Sequence, residues 1–349
     1  MPLAAQFPSW LKPEIIPGLP FRWYGLMYLV AFAIAYLLFI RQVKERKLAW
    51  SEDLISGLFF WCILGLLLGA RIFATIVYDT SGIYVEKPWL VFWPFEGKRF
   101  VGLQGMSYHG GLLGAVVAVV AYCRVKRVDT LEVGDMLVAG LPLGYTFGRL
   151  GNFINGELYG RVTAGPFGMY FPHAERFSAK ETWVREIAEK VGLAVPSPDA
   201  LLNLPRHPSQ LYEALFEGVV LWAALWALRN RKPFRGYLIG LYLIGYGLVR
   251  FVIEYFREPD ADLGYRIQLV RDGVPPALYS SPFNFSTGQV LCALMVAGGL
   301  LWLAIAARLP RSGSGSAEGG ARPDGRRTAD AGAKKESKNA RRKLRKKLG

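Results

Sequence analysis

Arg149 and Arg250 each interrupt a run of apolar residues long enough to cross a membrane. A charged side chain in such a place costs about 2.5–3.5 kcal/mol on insertion scales, so by default it marks function. Tyr246, Arg250 and Glu254 recur at i, i+4 and i+8 and therefore share one helical face. The plainer reading of that face is an Arg–Glu pair that solves only its own burial. Arg149 opens a stranger sequence, Gly148-Arg149-Leu150-Gly151-Asn152-Phe153-Ile154-Asn155-Gly156-Glu157-Leu158-Tyr159-Gly160-Arg161. Its glycines permit an unwound turn or a close backbone approach. Helix packing through Gly156 and Gly160 would explain the glycines alone and leave Arg149, Asn152, Asn155 and Glu157 unexplained. Two guanidinium groups aimed at one place suit a phosphate, which they bind bidentately while staying charged. A proton acceptor near neutral pH would be a histidine. Of His109, His173 and His207, His109 starts an apolar run within Tyr108-His109-Gly110-Gly111, while His207 reads as ordering a loop.

Membrane helices must position these groups. The 349 residues are 52% hydrophobic and only 20% charged. Soluble chains carry about 25% charged residues, so a water-soluble multidomain enzyme is excluded, and disorder across the body with it. A span needs about 20 mostly apolar residues. The sequence predicts seven, at roughly 23–40, 54–78, 106–123, 131–150, 209–228, 236–256 and 286–307. The fourth and sixth are interrupted by the two arginines, and the fifth begins with Glu213 and Glu217. Basic residues gather after the first span (Arg41, Lys44, Arg46, Lys47), the third (Arg124, Lys126, Arg127) and the fifth (Arg229, Arg231, Lys232, Arg235). Those loops face the cytoplasm by the positive-inside rule, so the N-terminus lies outside and the C-terminus inside. On that topology Tyr24, His109, Arg149 and Arg250 all fall in the outer half of the bilayer. Four independent placements converge on one depth.

The expected architecture is an all-α polytopic membrane protein. Residues 1–309 form the membrane domain, with outer segments at 158–208 and 257–285 building a small cap. An amphipathic stretch lies near 180–191. Residues 310–349 form a disordered basic tail that holds +9 of the +15 net charge. Contact with anionic lipid on the cytoplasmic surface suits that tail, and no nucleic-acid partner is expected. Cys62, Cys123 and Cys292 show no metal-ligand spacing, so neither metal nor cofactor is implied. Gly65 and Gly69 read as helix packing, and Arg71 fits either a structural or a functional role.

The segment Gly148–Arg161, His109-Gly110-Gly111, Trp23-Tyr24-Gly25 and Tyr246-Gly247-Leu248-Val249-Arg250-Phe251 resemble the bacterial prolipoprotein diacylglyceryl transferases. The resemblance runs from about Phe21 to Ala307 and includes the order of the motifs. It implies a multi-pass protein of the bacterial inner membrane that uses phosphatidylglycerol and preprolipoprotein signal peptides with a lipobox cysteine. The diacylglyceryl group would pass to the cysteine thiol, giving a thioether and glycerol phosphate, as the first step of lipoprotein maturation. On this reading His109 serves as base with Tyr24 at the same depth, and Arg149 and Arg250 stabilise the departing phosphate. Asn152, Asn155, Glu157, Gly160, Tyr246 and Glu254 form the binding set. The basic tail and a long loop, Ala261 to Pro282, depart from the family pattern.

Two other classes fit paired arginines. A lipid or anion transporter would more often show repeated halves and a midplane site, and no repeat is visible. A lipid-binding structural protein would not need His109 and Tyr24 at the arginines' depth.

Overall fold

The computed structural model describes residues 4–310 apart from 17, 19, 20, 94, 97, 98, 101–104, 259–263 and 272. The basic tail expected from residue 311 onward, and part of the long loop after Ala261, lie outside the described residues.

Apolar runs become helices because lipid leaves backbone N–H and C=O groups no partner but each other. Among the described residues, five helices are long and apolar enough to cross a membrane. They are α1 (Trp23–Glu45), α2 (Glu52–Phe73, continued to Tyr78 by a π-helical stretch), α3 (Tyr108–Lys126), α7 (Ser209–Leu228) and α9 (Thr287–Ala306). Helix α8 (Tyr237–Ile253) is apolar but only 17 residues long. The run expected as one span at 131–150 is instead two helices, α4 (Thr130–Val138) and α5 (Leu141–Asn155). Pro142 explains the break, since it has no N–H to give the carbonyl of Val138. A helical, polytopic membrane protein stands, with a fourth span more broken than its hydropathy suggested. Large apolar side chains such as Leu29, Phe60, Val117 and Leu301 face outward, as a lipid-bathed surface requires.

Serines and an aspartate start four of the helices. Ser51 caps α2 and Ser107 caps α3, Asp129 caps α4, and Ser286 forms a reciprocal capping box with Gln289 on α9. Glycines set the closest helix contact. A Cβ on Gly69 would stand 2.3 Å from the Gly110 carbonyl, and one on Gly114 would stand 2.1 Å from that of Gly65. Helices α2 and α3 therefore meet backbone to backbone.

The three basic loops meet at one end of the bundle. Arg46 pairs with Glu132, Arg229 with Glu45, Lys232 with Glu132 and Asp135, and Arg235 with Asp129. The two segments expected outside and the N-terminus meet at the other end. Ala5–Gln6 pairs in parallel with Met169–Tyr170, Phe177–Ser178 pairs with Leu201–Leu202, and Tyr265–Gln268 pairs with Asn284–Ser286. The amphipathic stretch is the helix α6 (Thr182–Lys190), which buries Val184 and Ala188 against Val162, Leu202 and Leu204. Arg161 joins the segments by donating to the carbonyls of Arg257 and Leu278, both at 2.7 Å. Arg206, fully buried, pairs with Glu258.

Candidate active site

Helix α5 delivers Arg149 in its penultimate turn and then stops. Gly156 takes the left-handed conformation (φ +66°) that ends a helix at least cost. The turn brings Glu157 back on the helix, where its Oε1 accepts from Asn152 Nδ2 at 3.0 Å and Asn155 Nδ2 at 3.2 Å. Gly160 does not pack helices. A Cβ there would stand 2.1 Å from the Phe256 carbonyl, so its glycine lets the chain leaving α8 cross close by.

Arg149 and Arg250 converge on one carboxylate. Glu213 Oε2 lies 2.9 Å from Arg149 Nε and 3.1 Å from Arg250 Nη1, while its Oε1 takes Arg257 Nη1 at 3.0 Å. Arg250 also reaches Glu217 at 3.4 Å and Glu254 at 3.2 Å. Tyr145 ties the set together: its hydroxyl donates to Glu217 Oε2 at 2.6 Å and accepts from Arg149 Nε at 2.6 Å. Glu254 Oε1 accepts from the Ser286 hydroxyl at 3.1 Å. Three arginines and three glutamates thus form one network, and a π-helical stretch, Glu213–Val220, presents two of the acids. Wide windings of this kind recur at functional sites.

The network has a sealed side and an open side. The side chains of Glu213 and Glu217 are 0% exposed, whereas those of Arg149 and Arg250 keep 18% and 16%. Tyrosines stand near the arginines. Tyr108 is 65% exposed, yet it lies within electrostatic reach of Arg149, Arg250 and Glu217. Tyr246 meets Tyr145 edge-on at 6.0 Å and stacks on Tyr242 at 5.8 Å. Tyr24 bonds to Tyr28 at 3.0 Å, and Tyr28 in turn feels the Arg149 charge. Two partly exposed guanidiniums among tyrosine rings can meet an anionic phosphate.

Of the residues singled out in the sequence, Arg149, Arg250, Glu254 and Tyr246 stand in this cluster. Asn152 joins it through a 3.5 Å contact with Arg149, and it links Asn155 and Glu157 behind it. Tyr24 adjoins the cluster through Tyr28. His109 follows Tyr108 at the start of α3. It is exposed, its Nδ1 lies 3.0 Å from the Tyr78 hydroxyl, and among the described residues no hydrogen bond joins it to either arginine. His207 orders the root of the cap, with its ring against Phe256 and its Nδ1 3.2 Å from the Tyr212 hydroxyl. Burial pushes it below the ordinary histidine value. No group of three or more His, Cys, Asp or Glu is placed to hold a metal among the described residues.

Four members of the network are not singled out by the sequence: Glu213, Glu217, Tyr145 and Arg257. The signal is present for the two acids, which stand at i and i+4 in an apolar run just as Arg250 and Glu254 do. In the sequence they count only as a weakness of that span.

The family model of the prolipoprotein diacylglyceryl transferases matches residues 14–305. A phosphatidylglycerol–prolipoprotein diacylglyceryl transferase of Treponema denticola is 53% identical over 86% of this chain and 94% of its own length. The enzyme of that name from Treponema pallidum is 52% identical over 85% and 94%. One from Chlorobaculum tepidum is 44% identical over 84% and 90%. With this coverage and the site just described, the chain belongs to the prolipoprotein diacylglyceryl transferase family.

Proposed function

We propose that this chain transfers the diacylglyceryl group of phosphatidylglycerol to the thiol of a lipobox cysteine in a preprolipoprotein, in the inner membrane of its cell. The observation that carries the reading is the convergence of Arg149 and Arg250 on Glu213, with both guanidiniums keeping an open edge. The cysteine sulfur attacks the glyceryl carbon that bears the phosphate. A C–S bond forms, the C–O bond breaks, and its electron pair leaves with glycerol phosphate. A phosphodiester with one negative charge becomes a monoester that can carry two. Arg149 and Arg250 meet that growing charge, and Glu213 holds them in place beforehand, so little reorganises as the bond breaks. Asn152, Asn155, Glu157 and Glu254 orient the arginines or the headgroup, and Tyr24 and Tyr246 stand beside it. Gly160 serves by letting the backbone close around it. The thiol proton goes to His109, since a thiolate is the attacking species.

Seven crossings suit this chemistry, the pair α4–α5 serving as one and the short α8 as another. Clustering of the basic loops at one end supports placing that end in the cytoplasm. The cap and the active site then lie toward the outer leaflet, where a translocated cysteine arrives; the division expected from the sequence is a membrane domain of residues 1–309 followed by a basic segment of residues 310–349.

The test mixes purified protein, phosphatidylglycerol vesicles and a lipobox peptide and reads the lipidated peptide by mass. Wild type forms product, and Arg149→Ala and Arg250→Ala do not. Product from all three proteins would remove the arginines from the mechanism. A folded wild type that binds lipid and forms no product would favour a lipid carrier.

A further inference from the structure

His109 is the second residue of α3, and its ring nitrogen Nδ1 is spent on the hydroxyl of Tyr78 at 3.0 Å. Tyr78 is the last residue of the π-helical stretch Ala74–Tyr78, in which α2 widens just before it ends. An extra residue per turn redirects the side chains at the helix end, and such bulges gather at functional sites. A tyrosine at the lipid–water boundary ordinarily leaves its hydroxyl to water and headgroups. Here the hydroxyl meets an imidazole instead.

The surroundings fix that meeting. The Ser107 N–H donates to the Ala70 carbonyl at 2.9 Å, and Ser107 Oγ then accepts from Gly110 N at 3.2 Å. Arg71, nearly buried, donates to the carbonyls of Gly105 at 3.2 Å and Leu90 at 3.3 Å, which ties the connection between α2 and α3 at both sides. Thr75 returns a hydroxyl bond to the Arg71 carbonyl at 3.0 Å. With the Gly69–Gly110 backbone contact, these bonds leave α2 and α3 a single register.

We infer that Tyr78 is a positioning residue for the transfer reaction: its hydroxyl oxygen accepts the Nδ1–H of His109 and so leaves Nε2 bare to take the thiol proton. The inference rests on His109 being the base proposed above. In the opposite arrangement the Tyr78 hydroxyl would donate to Nδ1, the ring proton would sit on Nε2, and no base would remain. In the step itself the S–H bond breaks and its proton moves to Nε2. The sulfur pair forms the bond to the glyceryl carbon, the C–O pair leaves with the phosphate, and the imidazolium keeps its Nδ1–H on Tyr78. The proton then passes to the released phosphate or to water. A third group that orients the base recurs wherever a base activates a nucleophile.

The experiment uses the full chain, phosphatidylglycerol vesicles and two peptides that differ only in cysteine or selenocysteine. A selenol ionises without help near neutral pH, so it needs neither a base nor the group that orients one. Tyr78→Phe keeps the ring, which packs edge-on against Phe73 at 5.5 Å. It should lower kcat on the cysteine peptide by about tenfold or more, and His109→Gln by about 100-fold. Both should return to within about twofold of wild type on the selenocysteine peptide, because the proton transfer is bypassed. Tyr78→Phe with wild-type turnover on cysteine, beside an inactive His109→Gln that selenium rescues, overturns the role of Tyr78 and leaves the base intact. Equal losses on both peptides make Tyr78 a packing residue and overturn the inference as well. Full turnover by His109→Gln removes the base first, and the inference with it.

Discussion

Two ionic networks sit on this helix bundle, one among the basic loops and one inside the membrane. Among the loops the carboxylates still touch water: the side chains of Glu45, Glu132 and Asp129 are 28%, 25% and 27% exposed. The cations there tie several segments together, Arg229 to the end of α1, Arg46 to α4, and Lys232 and Arg235 to α4 and its start. Within the membrane Glu213 serves three arginines and is sealed. Water-exposed pairs contribute about 0–1 kcal/mol each and act as braces. A buried pair repays its desolvation only with excellent geometry, so it is weak evidence for stability. One carboxylate shared by three guanidiniums also leaves N–H donors unspent, which is what an incoming phosphate needs. The first network holds loops together, and the second keeps donors for the phosphate proposed above.

The largest effect should separate the two networks outright. Arg250→Ala removes a cation that meets Glu213, Glu217 and Glu254, and product formation should fall by about 100-fold or more. Arg229→Ala removes an arginine of the loop network and should change turnover by less than about twofold. Initial rates of peptide lipidation at equal amounts of folded protein decide it. Comparable losses in the two variants would erase the distinction.

The sequence makes some of this legible. Arg149, Arg250 and Glu254 are readable because a charge in an apolar run has few explanations, and the order of glycines and amides after Arg149 carries the family. The split of the fourth span is readable in principle from Pro142, yet a hydropathy window averages across a proline. The meeting at Glu213 is not legible, because it joins α5, α7 and the end of α8 across more than sixty residues of chain in one direction and forty in the other. Periodicity reports which residues share a face and stays silent on which faces meet. For the same reason His109 and Arg149 read as one cluster by depth, whereas the hydrogen bond the fold gives the histidine is to Tyr78.

A subtler change tests whether the membrane network is poised by its acid. Glu213→Gln keeps size and one acceptor but removes the charge that holds Arg149 and Arg250 side by side. Turnover should drop about tenfold, with part of it recovered in Glu213→Asp, which restores the charge at shorter reach. Glu45→Gln in the loop network should stay within about twofold of wild type. Equal responses of the two glutamines would mean that the arginines need no fixed counter-charge.

The loop network has one sealed member, and it should fail in stability rather than in catalysis. Asp135 is fully buried, accepts from Gly236 N and Leu238 N at 2.9 Å and Ile239 N at 3.2 Å, and pairs with Lys232 at 3.2 Å. It caps the start of α8 from a neighbouring helix. Asp135→Asn leaves those donors poorly served and should cost about 2 kcal/mol. Thermal unfolding in detergent should come several degrees lower, at about 2–4 °C per kcal/mol. Turnover of the protein that stays folded should hold, and a catalytic loss at unchanged thermal midpoint would contradict the assignment of this end as a brace.

The smallest expected effect concerns the joint between membrane and cap. His207 lies where Gly160 N donates to its carbonyl at 2.8 Å and its own N–H donates to Arg161 at 2.9 Å, so its ring is held between Tyr212 and Phe256. Burial lowers its affinity for a proton in the folded protein. The unfolded chain therefore binds the proton first as pH falls through about 6.5, and acid favours unfolding over the window between that value and the lower folded one. Stability from this site is fully present above that window and is lost going down through it. His207→Gln keeps a polar side chain without a titrating group, so the fall in thermal midpoint between about pH 7.5 and about pH 5.5 should be smaller than in wild type. Any contribution from the ionic networks is common to both proteins and cancels in the difference. If the two proteins lose the same number of degrees on acidification, His207 is not the group that couples the cap to pH, and the carboxylates of the loop network become the ones to replace next.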